Sequence, residues 1–454
     1  MIDTVALRKK ILKLAVTGKI SEQMECDTRV STHLNAYVPT QLDIELDEIP
    51  DAWKYCKFDD VIINRDSERI PVSVAHRKKL DKIYDYYGAS GVIDKVDRYL
   101  FDKDLLLIGE DGANLLSRST PIAFIARGKY WVNNHAHVLD ATEHILLEYA
   151  ELIINSMSLV PYVTGVAQPK LSQGMMNKIA LPVAPIEEQK RIVDTVKAAF
   201  DMLDQIDELQ KQYSSDLEIL KSKIIDAGIQ GKLTEQLPED GTAEELLEQI
   251  EIQKNTILKN RKGRVDKKIK AIDGDFPYEI PSHWKWIRFG NIGLFKKGPF
   301  GSALTKSMFV PKGENTVKVY EQQHAINKDN TLGTYYITRE YFDDSMSGFE
   351  VLPGDIIVSC AGTIGETYIM PDDIEQGIIN QALMRVTLAE GVNRKFFQYY
   401  FDANLKKSAQ NESNGSAIKN IPPFDVMKNW YFPIPPLEEQ ERIVEKIENI
   451  LTIL

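Results

Sequence analysis

The chain has 454 residues, of which 43% are hydrophobic and 27% charged, and its formal net charge is −12 at pH 7. This length exceeds what one hydrophobic core usually serves, so we expect at least two domains of a water-soluble protein. The acidic surplus does not favour nucleic-acid binding, although phosphate contacts act locally, within about 10 Å. No apolar run is long enough for a membrane helix, and residues 1–23 lack an export signal. Three widely spaced cysteines favour a reducing compartment, so the expected location is cytoplasmic.

The predicted elements begin with an amphipathic helix over residues 1–23. A first domain is expected over 24–184. Its clearest strand-like runs are Asp104–Ile108 and Trp131–Ala136, and glycine turns follow the first of them. This part of the chain is therefore read as short strands punctuated by glycine turns.

A long helix is predicted over residues 185–236. Pro185 suits the first helical position, and the acidic pair Glu187–Glu188 suits the first turn, where the helix dipole favours negative charge. Apolar residues then recur at the three- and four-residue spacing of a coiled coil. The pattern predicts a rod of about 40 residues, or about 60 Å, that ends near Gly231.

A linker over residues 237–279 is acidic at first and basic later, and we expect a helix followed by a basic stretch. A second domain is predicted over 280–435, with strand-like runs at Asp355–Val358 and Ile378–Ala382. A C-terminal helix over 436–454 is similar to the beginning of the central helix. The second half of the chain therefore repeats the order of the first.

Three motifs carry this repetition. Between the second and third motifs lie two blocks of similar length, about 59–180 and 290–431, with little common sequence. We predict that the blocks share one fold and carry different surfaces. One helical rod is continuous, whereas the other is supplied in two pieces by the ends of the chain, so we expect the N-terminal helix to pack near the C-terminal one as a pseudo-twofold pair. The motifs are Leu7–Gln23 with Leu220–Gln236, Ile49–Phe58 with Ile280–Phe289, and Pro182–Val193 with Pro433–Val444.

This ordered combination resembles the specificity (S) subunits of Type I restriction-modification enzymes over nearly the whole chain. The resemblance implies an α+β fold, with two similar mixed α/β target-recognition domains separated by long antiparallel coiled-coil-like helices. Each domain would read one half of a bipartite asymmetric site in double-stranded DNA. The helices would set the spacing of the domains and dock two methyltransferase subunits, which the restriction subunits join. The chain itself would be non-catalytic and bind no cofactor, with S-adenosylmethionine, ATP and Mg expected only on partner subunits.

Polar and basic side chains beside glycine turns are the candidate DNA contacts, because recognition needs phosphate contacts for position and polar groups for base edges. A solvated turn is the alternative for each of them. Asn134 and Asn380 suit adenine chemically but could equally be turn residues. The candidates are Arg77, Lys78, Lys79, Tyr87, Ser90, Asn134, His135, Gln168 and Lys170 in the first block, and Lys297, Ser302, Lys306, Gln323, His324, Thr363, Asn380, Gln381 and Lys419 in the second.

No metal or catalytic site is predicted. His135 and His137 alternate on a predicted strand and should point to the same face, but the neighbouring sequence signals no further ligands. A packed or DNA-facing polar pair is therefore the preferred interpretation. Neither a phosphate-binding glycine loop nor a nuclease-like carboxylate cluster is signalled, which counts against a stand-alone methyltransferase or nuclease.

The polar residues that begin two of the predicted helices have two interpretations. They could cap the helices, or they could contact partner subunits, which the length of the rod favours. A protein-binding coiled-coil adaptor with two variable domains is the alternative function; the net charge would suit it, but the matched polar and glycine-rich loops would be unexplained. The candidate docking residues are Glu187, Gln189, Arg191, Glu438, Gln440 and Arg442.

Overall fold

The computed structural model describes residues 1–31, 33–40, 42, 44–165, 168–261, 269–361, 363–412 and 421–454. The chain divides into two compact units, Met1–Tyr213 and Ser214–Leu454. A search of the described helices finds none that combines the length and the apolar character needed to cross a membrane.

The first unit contains six helices and ten strands, together with the beginning of a seventh helix, within the part of the chain that is described. Its helices are α1 (Thr4–Val16), α2 (Phe58–Val61), α3 (Val74–Arg77), α4 (Asn114–Ser117), α5 (Leu147–Ser156), α6 (Gln173–Met176) and the first part of α7 (Ile186–Ile229). Its strands are β1 (Lys54–Lys57), β2 (Ile62–Asn64), β3 (Tyr84–Gly88), β4 (Gly91–Val96), β5 (Phe101–Asp102), β6 (Leu105–Gly109), β7 (Ala123–Ala126), β8 (Lys129–Val132), β9 (Ala136–Ala141) and β10 (Ala180–Val183).

The second unit begins within α7 and has the same kinds of element. Its helices are α8 (Ala243–Asn260), α9 (Gln322–Asn327), α10 (Arg339–Tyr341), α11 (Arg394–Glu412), α12 (Phe424–Met427) and α13 (Leu437–Ile453). Its strands are β11 (Lys285–Arg288), β12 (Gly293–Lys297), β13 (Thr316–Tyr320), β14 (Tyr336–Thr338), β15 (Glu350–Val351), β16 (Ile356–Ser359), β17 (Thr367–Ile369), β18 (Gly377–Ile379), β19 (Leu383–Leu388) and β20 (Tyr431–Ile434). The linker helix predicted between the motifs is α8, and the basic stretch after it falls largely outside the described residues.

The two units have the same sheet topology. An antiparallel sheet of order β2-β9-β6-β7 in the first unit matches β12-β19-β16-β17 in the second. A second sheet, β4-β3-β8-β5, matches β14-β13-β18-β15, and each contains one parallel pair, β3 with β8 and β13 with β18. The prediction that two blocks of unlike sequence share one mixed fold is therefore confirmed.

Each block is closed at its base by a two-stranded antiparallel ribbon. In the first unit β1 pairs with β10, so that Lys57 lies opposite Ala180. In the second unit β11 pairs with β20, so that Arg288 lies opposite Tyr431. The two strands of each ribbon precede and follow the block in the sequence. Because they are paired, the block begins and ends at the same place on the helical base.

The helices pair within each unit, and α7 is the long helix that the heptad spacing predicts, with 44 residues. In the first unit α1 runs antiparallel to the first half of α7. Near the middle of that helix, Arg8 Nη2 lies 2.7 Å from Asp204 Oδ1, and Thr4 Oγ1 donates to Asp207 at 2.6 Å. In the second unit α13 packs on the end of α7, at Gly228, where a Cβ would lie 2.6 Å from the Ile447 side chain. The packing of the N-terminal helix near the C-terminal one stays a prediction.

Candidate nucleic-acid interface

Four segments of the first unit converge at one edge of its two sheets, and we call 87–91, 109–112, 133–135 and 168–171 the first loop edge. Backbone hydrogen bonds join them. The Asn133 N–H donates to Tyr87 at 3.0 Å, and the Glu110 N–H donates to His135 at 2.8 Å. The Gly112 N–H donates to Pro169 at 3.1 Å, which ties the last segment to the others.

Most of the predicted DNA contacts of the first block lie on this edge. Tyr87 is half-buried, and its ring stacks on Phe124 with the centroids 5.9 Å apart. Hydroxyl, amide, imidazole and ammonium groups therefore share one surface, as base and phosphate contacts require. The exposed side chains on the edge are Ser90, Asn134, His135, Gln168 and Lys170.

His135 and His137 do not share a face, which corrects the prediction made from their alternation. His135 precedes β9 in a turn, is about half exposed and lies 2.8 Å from Asp111 Oδ2. His137 is on the strand and buried, with Nδ1 2.6 Å from Asp66 Oδ2 and Nε2 donating to the Leu171 carbonyl at 2.8 Å. The turn breaks the two-residue period on which the prediction depended.

Asp66, Glu110 and His137 come within metal-binding distance of one another, but cationic side chains already neutralise both carboxylates. Arg69 Nη1 lies 2.7 Å from Glu110, and Lys170 Nζ lies 3.0 Å from it. Burial disfavours the charged form of both carboxyls, yet these cations lower the pKa of Glu110, and the hydrogen bond from His137 lowers that of Asp66. The cluster thus holds the loops of the edge together as an ion-pair network.

The second unit has a corresponding edge, which we call the second loop edge; it is formed by 297–298, 320–323, 359–361, 363 and 380–382. The Asn380 N–H donates to Tyr320 at 3.0 Å, and the Cys360 N–H donates to Ala382 at 2.9 Å. Gly298 passes so close that a Cβ there would lie 1.8 Å from the Asn380 carbonyl oxygen, which only glycine permits. The exposed candidates on this edge are Lys297, Gln323, Thr363 and Gln381.

Three predicted DNA contacts instead serve the fold. Arg77 is 9% exposed, because its guanidinium pairs with Asp94 at 2.9 Å and lies over the Tyr86 ring. His324 is fully buried, and both its ring nitrogens lie within 3.0 Å of backbone carbonyls. Asn380 is half-buried, and its Oδ1 accepts the Ala382 N–H at 3.0 Å, so the turn alternative describes it best.

The remaining candidates lie elsewhere. Lys78 and Lys79 are exposed in the turn after α3, which packs beside β4. Ser302 and Lys306 are exposed in turns that follow β12. Lys419 lies outside the described residues. These residues stay candidates, because no hydrogen bond or ion pair among the described residues joins them to a loop edge.

The counterpart of Asn380 in the first block is Asn133, and not the candidate Asn134. Asn133 and Asn380 occupy the same place, because each donates its N–H to the equivalent tyrosine, Tyr87 or Tyr320. Each also accepts the N–H of the residue two positions later. Asn134 therefore corresponds to Gln381, and the two edges present different amides at this exposed position.

The repeated motifs meet at the base of each unit, in an arrangement that the sequence did not predict. Glu188 is fully buried, and its carboxylate accepts from Trp53 Nε1 at 2.8 Å and Ser21 Oγ at 2.8 Å. In the second unit Glu439 accepts from Trp284 Nε1 and lies near His283 Nε2, both at 2.8 Å. The recurrence of both tryptophan and glutamate in two otherwise divergent halves was the available signal.

Two of the predicted docking residues are wrong as surface contacts. Gln189 and Gln440 are fully buried. The Gln189 amide donates to the carbonyls of His144 and Ala184 and accepts the Leu146 N–H, and Gln440 makes the equivalent bonds. A buried amide is retained for such bonds because an unpaired polar group there is costly.

Arg191 and Arg442 also bind within the chain. Each forms a two-pronged ion pair, Arg191 with Asp27 and Arg442 with Asp240, at 2.6–3.0 Å. About 30% of each arginine side chain stays exposed. Of the other candidates, Glu187 and Glu438 are exposed in the first turns of α7 and α13, where capping and subunit contact remain open.

These ion pairs predict a loss of stability in acid. The hydrogen bonds from arginine hold the pKa of Asp27 and Asp240 below the ordinary value of 3.8. Their contribution is therefore complete above that value and is lost as the pH falls through the folded pKa. We expect Asp27→Asn to be less stable by about 1–2 kcal/mol at neutral pH and to lose less stability on acidification than the unsubstituted chain.

Urea unfolding at about pH 6 and about pH 3 would measure both effects. Asp194→Asn is the matched control, since Asp194 is an exposed carboxylate on the same helix as Arg191. An acid dependence that Asp27→Asn leaves as steep as Asp194→Asn does would contradict the prediction.

Two copies of one β-rich domain, each closed at its base and carried on paired helices, define a protein with a duplicated recognition architecture. A family model described as the Type I restriction modification DNA specificity domain matches residues 50–214 and 300–454. The matched residues are more than half of the chain, which therefore belongs to the family of Type I restriction-modification specificity subunits.

Named relatives agree with this assignment. A type I restriction enzyme specificity subunit of Haemophilus influenzae, S.HindORF215P, is 25% identical over 381 residues, which are 81% of this chain and 80% of the relative. The EcoAI specificity subunit of Escherichia coli is 23% identical over 241 residues, 52% of this chain and 40% of the relative. A solved chain from work on complex assembly and conformational transition of the type I R-M system has a TM-score of 0.56 at 14% identity, covering 90% of this chain and 92% of its own. That likeness shows a common fold.

Proposed function

We propose that this chain directs a Type I restriction-modification complex to a bipartite asymmetric DNA target. Each loop edge would read one half of the target. The exposed amide, hydroxyl and imidazole groups would contact base edges, and Lys170 and Lys297 would contact phosphates. The chain would act without a catalytic site or cofactor of its own.

The observation that carries the proposal is the contrast between the two edges. The same topology places Asn134 and His135 on one edge, where the other presents Gln381 and Ala382. Two different half-sites require two domains that have the same fold and different exposed polar side chains. Two identical edges would instead favour a symmetric target.

The helices are the proposed docking surface for methyltransferase subunits, which restriction subunits would join. The exposed acidic residues Glu187 and Glu438 begin the two helices that repeat the motif, so they lie at equivalent places in the two units. We propose them as contacts and leave the buried glutamines out of this role. The repetition favours two copies of the same partner.

The proposal predicts that methylation depends on this chain. Mapping of methylated bases in cells that express the partner methyltransferase, with and without the chain, should show one bipartite asymmetric motif modified only when the chain is present. The same measurement with Asn134→Ala should weaken the discrimination of one half-site, since a good base contact contributes about 1–3 kcal/mol of discrimination.

A matched control is Glu143→Ala, an exposed substitution just beyond the end of β9 that lies away from the first loop edge. Methylation that is unchanged by removal of the chain, with a methyltransferase proven to be active, would contradict the proposal. That result would favour a protein-binding adaptor.

A further inference from the structure

A buried guanidinium in the second unit has no carboxylate partner among the described residues. Arg385, on β19, is 4% exposed, and its Nη1 donates to the backbone carbonyl of Glu350. Its Nε–H has no acceptor. Buried charges in proteins are normally paired, because an unpaired buried charge strongly destabilises the folded state.

The neighbouring carboxylate of Asp355 is already fully hydrogen-bonded. Asp355 is buried and receives both Nη2 contacts of Arg261, at 3.0 and 3.1 Å, as well as the Thr387 hydroxyl and the Leu352 N–H. Burial and the neighbouring Arg261 lower the pKa of Arg385 to about 10, so the group is still charged at neutral pH. The cationic side chains at this site therefore outnumber the carboxylates that the chain places beside them.

The fold does not need an arginine at this place. In the first unit β9 pairs with β6 as β19 pairs with β16, and the residue at the position of Arg385 is Val138, opposite Leu107. Val138 is fully buried in an apolar cluster. The shared fold therefore does not require an arginine here, because the first unit has an aliphatic side chain at the same position.

A cavity of about 700 Å³ opens beside this guanidinium. Arg261, Lys296 and Arg385 contribute three cations to its lining, whereas Glu350 contributes one carboxylate, which pairs with the Gln376 amide. Leu294 and Phe295 line it as well, and the volume lies within the range of small-ligand sites, about 300–1,000 Å³.

We propose that this cavity binds a phosphate group. The guanidinium of Arg385 and the ammonium of Lys296 suit a doubly charged tetrahedral anion better than one carboxylate, because each can donate to a separate oxygen, whereas Arg261 is already held by Asp355. The phosphate could belong to a free nucleotide or to the DNA backbone. Only the DNA source rests on the proposed function; binding of free phosphate or a nucleotide does not.

Calorimetric titration of the full chain with inorganic phosphate and with ATP tests the free-ligand source. We expect binding that Arg385→Met and Lys296→Gln each weaken about tenfold or more, as for the loss of one charge-assisted hydrogen bond. Lys312→Gln, which changes another exposed lysine of the same unit, should leave binding unchanged. Arg385→Met should melt at the same temperature as the unsubstituted chain or higher, because an unpaired buried charge is removed.

The DNA source is tested by the salt dependence of binding to duplex DNA of random sequence. If a backbone phosphate occupies the cavity, Lys296→Gln should lower the slope of log K against log salt by about 1, again with Lys312→Gln as the control. Free-ligand binding with an unchanged slope would assign the site to a nucleotide or inorganic phosphate. The inference is overturned if phosphate and ATP do not bind and the slope does not change, or if Arg385→Met lowers the melting temperature by several degrees without affecting binding. Failure of the methylation experiment alone would leave the free-ligand result standing.

Discussion

Gly18→Ala is expected to lower the free energy of unfolding of the first unit by about 3 kcal/mol. Gly18 has φ +69°, and a Cβ there would lie 2.5 Å from Pro50 Cγ and 3.2 Å from the Trp53 ring. The left-handed conformation costs a residue with a Cβ about 1–2 kcal/mol, and overpacking costs about 1–3 kcal/mol more. Urea unfolding followed by tryptophan fluorescence would measure the loss.

Gly128→Ala separates the two contributions. Gly128 has almost the same φ, +71°, but no atom lies within 4 Å of its Cβ position. It should therefore cost only about 1–2 kcal/mol, the part that belongs to the backbone. Gly231→Ala should repeat the larger loss in the second unit, because its Cβ would meet Pro281 and Trp284 at 2.5 and 3.0 Å. Equal losses of unfolding free energy for Gly18→Ala and Gly128→Ala would contradict this prediction, because they would show that contact with Pro50 and Trp53 adds no cost at Gly18.

Replacement of residues 59–180 by the corresponding block of another specificity subunit is expected to change one half of the DNA target completely and leave the other half unchanged. The physical reason is the ribbon of β1 and β10, which holds Lys57 opposite Ala180 and so brings both ends of the block together. The Phe58 N–H donates to Ile179 at 3.0 Å just beyond the ribbon. A block inserted there need not alter the helical base.

Methylated-base mapping of the exchanged chain would read both half-sites at once. The reciprocal exchange of residues 290–431 is the internal control, since Arg288 opposite Tyr431 closes the second block in the same way. Each exchange should alter a different half. A change in both halves from a single exchange would contradict independent reading by the two edges.

The repetition was readable in the sequence because the motifs that repeat are the ones that form the base. Glycine, tryptophan and the glutamate–glutamine pair recur wherever a positive φ, a large buried ring or a buried hydrogen bond is required. Few residue types meet such requirements, so the same residues occur in both halves although the blocks differ in sequence. The long helix followed from its heptad spacing for a similar reason, since the period of an apolar seam is a local property.

The errors came from features that are not local. The sequence singled out Asn134 and Asn380 as chemically suited to adenine, whereas backbone hydrogen bonds to Tyr87 and Tyr320 show that Asn133 is the counterpart of Asn380. It left Gln189 open as a helix cap or a subunit contact, because its buried hydrogen bonds go to the carbonyls of His144 and Ala184, one of them 45 residues away. Arg77 and His324 are buried rather than exposed for the same reason. Segments far away in the sequence cover them, and the residues next to them in the sequence do not reveal this burial.

The sequence by itself thus determined the duplicated α+β organisation, the long central helix and the resemblance to specificity subunits, because short-range periodicity and recurring motifs encode them. Only the tertiary structure decided which polar residues share a loop edge and which are buried in the base. It also decided that Arg385 lies beside a cavity without an ion-pair partner among the described residues, whereas Val138 fills the equivalent place in the first unit. Burial and charge balance depend on segments far apart in the chain, and the folded sheets are what bring those segments together.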